Sequence, residues 1–154
     1  MSRQLDLFPE TLPVVVLTEQ QIEARRVITE LTQAMLTAPR SMHLEDAEAG
    51  SWNTHEFYPG LYVRSIYMKA GSRIMSHTHL TKHPFFILKG RCRVADTQGN
   101  VEVLEQPFSG VTLPDTQRVL FIEDDTWWIT VHPNPDNLDD PDAIMARITS
   151  MDYA

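Results

Sequence analysis

Residues 71–90, Gly-Ser-Arg-Ile-Met-Ser-His-Thr-His-Leu-Thr-Lys-His-Pro-Phe-Phe-Ile-Leu-Lys-Gly, decide how the chain is read. They carry His77, His79 and His83, half of the chain's 6 histidines. On a β-strand, side chains two apart leave the same face, so His77 and His79 are expected to project together. Leu80-Thr81-Lys82 is short and polar enough to turn, and His83-Pro84 opens the apolar run Phe85-Phe86-Ile87-Leu88. Pro84 lacks an N–H for a ladder and suits the start of a strand. Two strands would then meet with their histidines at the junction. Three neutral imidazoles there form a donor set suited to Zn, Fe, Ni or Cu. The same spacing also occurs on solvent-facing strands, where the histidines would be ordinary polar residues.

Outward from this stretch the chain reads as β from Gly60 onward. Leu61–Lys69 is an expected strand that turns at Ala70-Gly71-Ser72. Gly90 leads into Arg91-Cys92-Arg93-Val94-Ala95, and Thr97-Gln98-Gly99-Asn100 is a hairpin signal before Val101–Leu104. Arg118–Glu123 and Thr126–His132 read as a second hairpin across Asp124-Asp125. Short strands with closely spaced turn signals mean a sandwich or barrel. Upstream, Thr18-Glu19-Gln20-Gln21 has the form of a capping box. Ile22, Val27, Ile28, Leu31, Ala34 and Met35 follow helical spacing, so a helix is expected to run to about Leu36, before Pro39. That helix packs on the barrel or makes a subunit contact. Val14–Leu17 reads as a short strand ending an extended arm. Residues 41–59 read as irregular, with His43 and His55 as surface residues unless a loop carries one to a metal. Asp139-Asp140-Pro141 signals the start of a short C-terminal helix.

The chain has 154 residues, 42% hydrophobic and 22% charged, as expected for one globular domain. It divides into an N-terminal arm and helix, 1–40, and a barrel with a helical tail, 41–154. The formal net charge is -8, with 13 basic against 21 acidic residues, which argues against nucleic acid as a partner. No apolar run is long enough to span a membrane, and the N-terminus shows no signal peptide, so a cytoplasmic location in a bacterial or phage-infected cell is expected. The single cysteine, Cys92, agrees with a reducing compartment and reads as a core residue.

Gly71, His77, His79, His83 and Gly90 resemble the first motif of the cupin superfamily, G-x5-H-x-H-x3-(acid)-x6-G. His83 stands where that motif has its acid. The stretch Gly110-Val111-Thr112-Leu113-Pro114-Asp115-Thr116-Gln117-Arg118 resembles the opening of the second motif, without its histidine. From about Gly60 to Met145 the chain is also similar to small cupin-like proteins of bacteriophage and prophage genomes. The phrases that match include Gly60-Leu61-Tyr62-Val63-Arg64, Asp115-Thr116-Gln117-Arg118, and Glu123 to Pro133. The resemblance implies a mainly β fold: a double-stranded β-helix, the cupin jelly-roll barrel, with an N-terminal helix and a short C-terminal helix. It also implies a divalent transition metal (Fe, Zn, Ni or Mn) and a small-molecule ligand.

His132 is the candidate for the missing histidine of the second motif. In a hairpin across Asp124-Asp125, counting back pairs His132 with Gln117, or with Arg118 after a one-residue shift. The expected ligand set is therefore His77, His79, His83 and His132. Arg64, Arg118 and Gln117 are the candidate ligand-binding residues, with Arg73 a further guanidinium able to clamp an anion. No catalytic residue can be named. Three functions follow: a metal-dependent cupin acting on a small polar molecule, as a dioxygenase, isomerase or hydrolase; a non-catalytic small-ligand-binding cupin; or a phage-type assembly protein. A homo-oligomer is expected in each.

Overall fold

The computed structural model describes residues 16–37 and 52–150. Most of the expected arm, and His43, lie outside the described residues. The elements are α1 (Glu19–Thr37), β1 (Trp52–Tyr58), β2 (Gly60–Met68), β3 (Arg73–Met75), β4 (Thr78–His79), β5 (His83–Lys89), β6 (Arg91–Asp96), β7 (Val101–Glu105), β8 (Phe108–Thr112), β9 (Arg118–Ile122), β10 (Thr126–Asn134), α2 (Pro141–Ile148) and β11 (Thr149–Ser150). One sheet has the order β1-β2-β10-β5-β8 and the other β3-β9-β6-β7. A third, two-stranded sheet pairs β11 with β4. This is the double-stranded jelly roll.

The core lies between the two main sheets. Ile66, Met68, Phe85, Ile87 and Trp128 from the first meet Ile74, Cys92, Val94, Leu104, Leu120 and Ile122 from the second. Strict alternation directs this: His83, Phe85 and Ile87 of β5 are buried while Pro84, Phe86 and Leu88 are exposed. Phe85 stacks on Trp128 with ring centroids 4.5 Å apart. Gly110, paired with Phe85, makes room for that ring; a Cβ there would sit 2.5 Å from Phe85 Cζ. Gly90, at φ +96°, turns β5 into β6 directly beneath the Asp125 carbonyl. Cys92 is fully buried and burial pushes its thiol up to about 11, so it is a core residue without nucleophilic character.

The capping box forms as read: Gln21 N–H donates to Thr18 Oγ1 at 3.2 Å, and Thr18 N–H donates to Gln21 Oε1 at 3.0 Å. α1 lies on β6, and its Ile28 and Thr32 are buried. Gln20 donates to Gly99 O at 2.8 Å, and Arg25 pairs with Asp115. The apolar stripe is therefore split, because Ile22, Val27 and Leu31 remain exposed. α2 starts where expected: Asp140 caps it by accepting from Asp142 N–H at 3.0 Å, with Pro141 following. Its Ile144 and Ile148 pack on Tyr62.

Two expectations are corrected. Residues 52–58 are not irregular; they form β1, paired with β2 from Trp52↔Tyr67 to Tyr58↔Leu61. The expected hairpin of 118–123 with 126–132 does not exist, because β9 and β10 belong to different sheets. Glu123 and Asp124 N–H both donate to Arg91 O, holding the segment as a corner. The Asp125 carboxylate accepts from Ala70 N–H at 2.9 Å and pairs with Lys69 at 2.6 Å. The acidic run that suggested a turn thus pins the crossing from one sheet to the other.

Candidate metal and ligand site

β4, the turn after it and β5 deliver His79 and His83 to the end of the barrel closed by α2. The turn is tied down from outside: Leu80 N–H donates to Ile148 O at 2.8 Å, His79 N–H to Thr116 O at 2.8 Å, and Thr149 pairs with His79. β10 lies between β2 and β5 and carries His132 inward in phase with Trp128 and Thr130. The rings meet there. Centroids are 4.1 Å apart for His83 and His132, 4.9 Å for His79 and His83, and 6.4 Å for His79 and His132. His132 arrives by sheet order and not by the hairpin register expected of it.

A hydrogen bond fixes which nitrogen of His83 is available. His83 Nδ1 lies 3.0 Å from Thr81 O, and a carbonyl only accepts, so Nδ1 carries the proton and Nε2 keeps a lone pair. His132 Nε2 lies 3.0 Å from Thr130 Oγ1. His79 Nδ1, His83 Nε2 and His132 Nδ1 are buried with no partner. Leaving buried polar nitrogens unpaired costs about 1–3 kcal/mol each. Burial, then His83 and Arg118, hold His79 down at about 2. Burial, then His83 and Arg64, hold His132 down at about 3. Burial also lowers His83, against the opposing pull of the Thr81 carbonyl. All three rings are neutral at pH 7, the state in which imidazole is a metal ligand.

As they stand the nitrogens do not converge: among the described residues, no set of three His, Cys, Asp or Glu side chains is arranged to hold a metal ion. The donor set nevertheless fits a transition metal in kind, since it consists of neutral imidazoles on touching rings with unpartnered nitrogens. His77 stands apart from the three. The strand breaks between β3 and β4 at Ser76-His77, so the same-face argument for His77 and His79 fails, and His77 Nδ1 lies 3.5 Å from Thr149 Oγ1.

A cavity of about 60 Å³ adjoins the rings. Its walls include His79, His83, His132, Arg64, Arg118 and the apolar side chains Ile66, Met68, Ile74, Leu120 and Trp128, with no Asp or Glu among the described residues. Arg118 faces inward because it is in phase with Leu120 and Ile122 on β9, a period-2 signal visible in the sequence. Arg64 reaches the same space from β2 and donates Nε–H to Asn53 Oδ1 at 3.0 Å. Gln117 is fully buried with neither amide atom partnered, but it does not line the cavity. Arg73 is exposed and lies over Phe121.

Sequence reasoning overlooked Tyr62 as a support for the site. It is fully buried, stacks on His132 at 5.8 Å, and its hydroxyl lies 2.6 Å from His55 Nδ1. His55 thus reaches the site indirectly, through Tyr62. Ser76, Thr130 and Met145 also line the cavity, and no spacing in the sequence marks them.

No family model matches the chain, and no curated protein matches it. Among solved structures it is similar to a salicylate 1,2-dioxygenase from Pseudoaminobacter salicylatoxidans in adducts with gentisate. That likeness has a TM-score of 0.52 at 16% identity and covers 82% of this chain but 33% of the dioxygenase. KdgF from Halomonas sp. aligns with a TM-score of 0.47 at 17% identity over 56% of this chain and 81% of KdgF. A cupin superfamily protein from Desulfitobacterium hafniense aligns with a TM-score of 0.47 at 6% identity over 54% of this chain and 76% of that one. At such identities the likeness concerns fold alone. With the two facing sheets and their strand order, the likeness to the dioxygenase makes the architecture of this chain a double-stranded jelly roll.

Proposed function

We propose that the chain is a metal-binding cupin that binds, or acts on, a small polar molecule at the end of the barrel closed by α2. The observation that carries this is the set of unpartnered, buried nitrogens on His79, His83 and His132. A fold does not leave three such atoms unsatisfied on adjoining rings without cost, and a divalent metal would satisfy all three. His79, His83 and His132 are the ligands, with His77 at most a peripheral fourth. Three protein ligands keep coordination positions open, as dioxygenase or isomerase chemistry requires. When bound, the metal supplies Lewis-acid polarisation of a ligand oxygen. The chain's own residues hold the imidazoles neutral, exclude water with apolar walls and close the end of the barrel with α2. Cobalt(II) titration of the metal-stripped protein tests this: visible d–d bands saturating near one equivalent, and lost in His83→Ala, are expected. Absence of bands in the wild type would remove the metal.

A second reading, an assembly protein, is supported by the exposed Ile22, Val27 and Leu31 on α1. A homo-oligomer formed through α1 is its signature. Light scattering after size exclusion should then show an oligomer that Leu31→Asp dissociates; a wild-type monomer rejects this reading.

A further inference from the structure

Arg118 is 8% exposed, yet it forms no ion pair among the described residues. Its Nη1 donates to Thr112 Oγ1 at 2.7 Å, and its guanidinium carbon lies 5.0 Å from the centre of the Phe85 ring. A guanidinium carries five N–H donors, and the Thr112 hydroxyl takes one of them. Burying a charge costs several kcal/mol, and the carboxylates of Asp96 and Glu102 offset it only through space, without an ion pair. Among the described residues, the cavity walls themselves carry no carboxylate.

We propose that this cavity takes a short monocarboxylate of two or three carbons, its carboxylate on Arg118 and its remaining atoms turned toward the histidines. This deepens the reading above and rests on it for the function of the histidine end, but not for binding at Arg118. Charge selects an anion, and the planar donor fork of Arg118 matches a carboxylate. Size follows from volume: about 60 Å³ of free space, at roughly 10–15 Å³ per water-sized unit, holds about four to six non-hydrogen atoms. The walls select the rest of the molecule. Ile66, Ile74, Leu120 and Trp128 offer carbon surface and few donors, so a tetrahedral oxyanion such as phosphate would leave oxygens unsatisfied. Arg64 is less suited as the seat, because its Nε already serves Asn53.

The test is calorimetric titration of the purified full chain, before and after metal stripping, with pyruvate and acetate. Acetamide, inorganic phosphate and benzoate serve as neutral, tetrahedral and oversized controls. Pyruvate should bind the wild type in both forms, and Arg118→Met should weaken it at least tenfold. Arg118→Lys, which keeps the charge but loses the fork, should fall between the two. Arg118→Met should also melt close to the wild type, because the desolvation cost it relieves offsets the lost Thr112 hydrogen bond and the lost attraction of Asp96 and Glu102. A purely structural arginine would instead give a lower melting temperature. Equal binding of acetamide, tighter binding of phosphate or benzoate, or pyruvate affinity unchanged in both variants would overturn the proposal. Arg118-dependent pyruvate binding by a protein that takes up no metal would keep this inference and remove the metal. Metal uptake without pyruvate binding would do the reverse.

Discussion

Lowering the pH from 6.5 to 5 should destabilise the metal-free protein steeply. His79 and His132 are held near 2 and 3 in the folded chain, against about 6.5 when unfolded. Over this interval the unfolded state takes up protons that the folded state refuses. Stability contributed by the neutral rings is complete above the unfolded value and is lost as pH falls through it. Each pH unit is worth at most about 1.36 kcal/mol per group, and half that at the unfolded pKa itself, so 1.5 units remove about 1.6 kcal/mol for each ring and about 3 kcal/mol for the pair. His83 is shifted in the same direction and adds to the loss. His79 is only partly buried, which makes the sum an upper bound. Set against a typical stability of about 5–15 kcal/mol, the loss is large. Carboxylates do not confuse the interval: Asp125, held down at about 2 chiefly by the Ala70 N–H, is lost only below the ordinary carboxylate range. The assay is urea unfolding followed by tryptophan fluorescence in the presence of a chelator, at pH 7, 6.5, 6, 5.5 and 5. His132→Asn removes one titrating ring and should make the slope shallower by about 1 kcal/mol per pH unit. A midpoint that stays constant or rises between pH 6.5 and 5 would refute the buried, neutral environment assigned to these rings.

Two further substitutions probe the scaffold by the same urea assay. Gly90→Ala places a Cβ 2.4 Å from Asp125 O and 2.6 Å from Thr126 Cα at φ +96°, and should cost about 3 kcal/mol or more. Gly71→Ala, at φ +86° with nothing within 4 Å, should cost only about 1–2 kcal/mol; equal costs would contradict the close approach at Gly90. Tyr62→Phe removes the hydroxyl 2.6 Å from His55 Nδ1 but keeps the ring on His132. It should cost about 1 kcal/mol and leave cobalt uptake unchanged, whereas lost uptake would make the hydroxyl part of the site.

Much of the fold is legible in the sequence because the relevant signals are local. The alternation His83-Phe85-Ile87 against Pro84-Phe86-Leu88 sets the faces of β5. Gly99 turns β6 into β7, Thr18 and Gln21 cap α1, and Asp140-Pro141 start α2. What is hidden depends on distant partners. β1 is exposed along nearly its whole length and shows no apolar alternation, so only its pairing with β2 makes it a strand. Glu123-Asp124-Asp125 resembles a hairpin turn, yet Asp125 is held by Lys69 and Ala70 from far upstream. The histidines divide in the same way. His79 and His83 are brought together by a short turn that can be read. His132 arrives through the placement of β10 between β2 and β5, and His77 departs because the strand breaks beside it. Arg118 was legible in principle, through its phase with Leu120 and Ile122.

The central claim is that His79, His83 and His132 hold a metal while His77 stands aside. Metal content per chain, measured by inductively coupled plasma mass spectrometry on untagged protein and on His83→Ala, His132→Ala and His77→Ala, tests it most directly. The account predicts about one divalent transition metal per chain in the wild type, less than a tenth of that in His83→Ala and His132→Ala, and retention of most of it in His77→Ala. A wild type that holds no metal as purified and takes none up on reconstitution, or a site lost in His77→Ala and kept in His132→Ala, would contradict it.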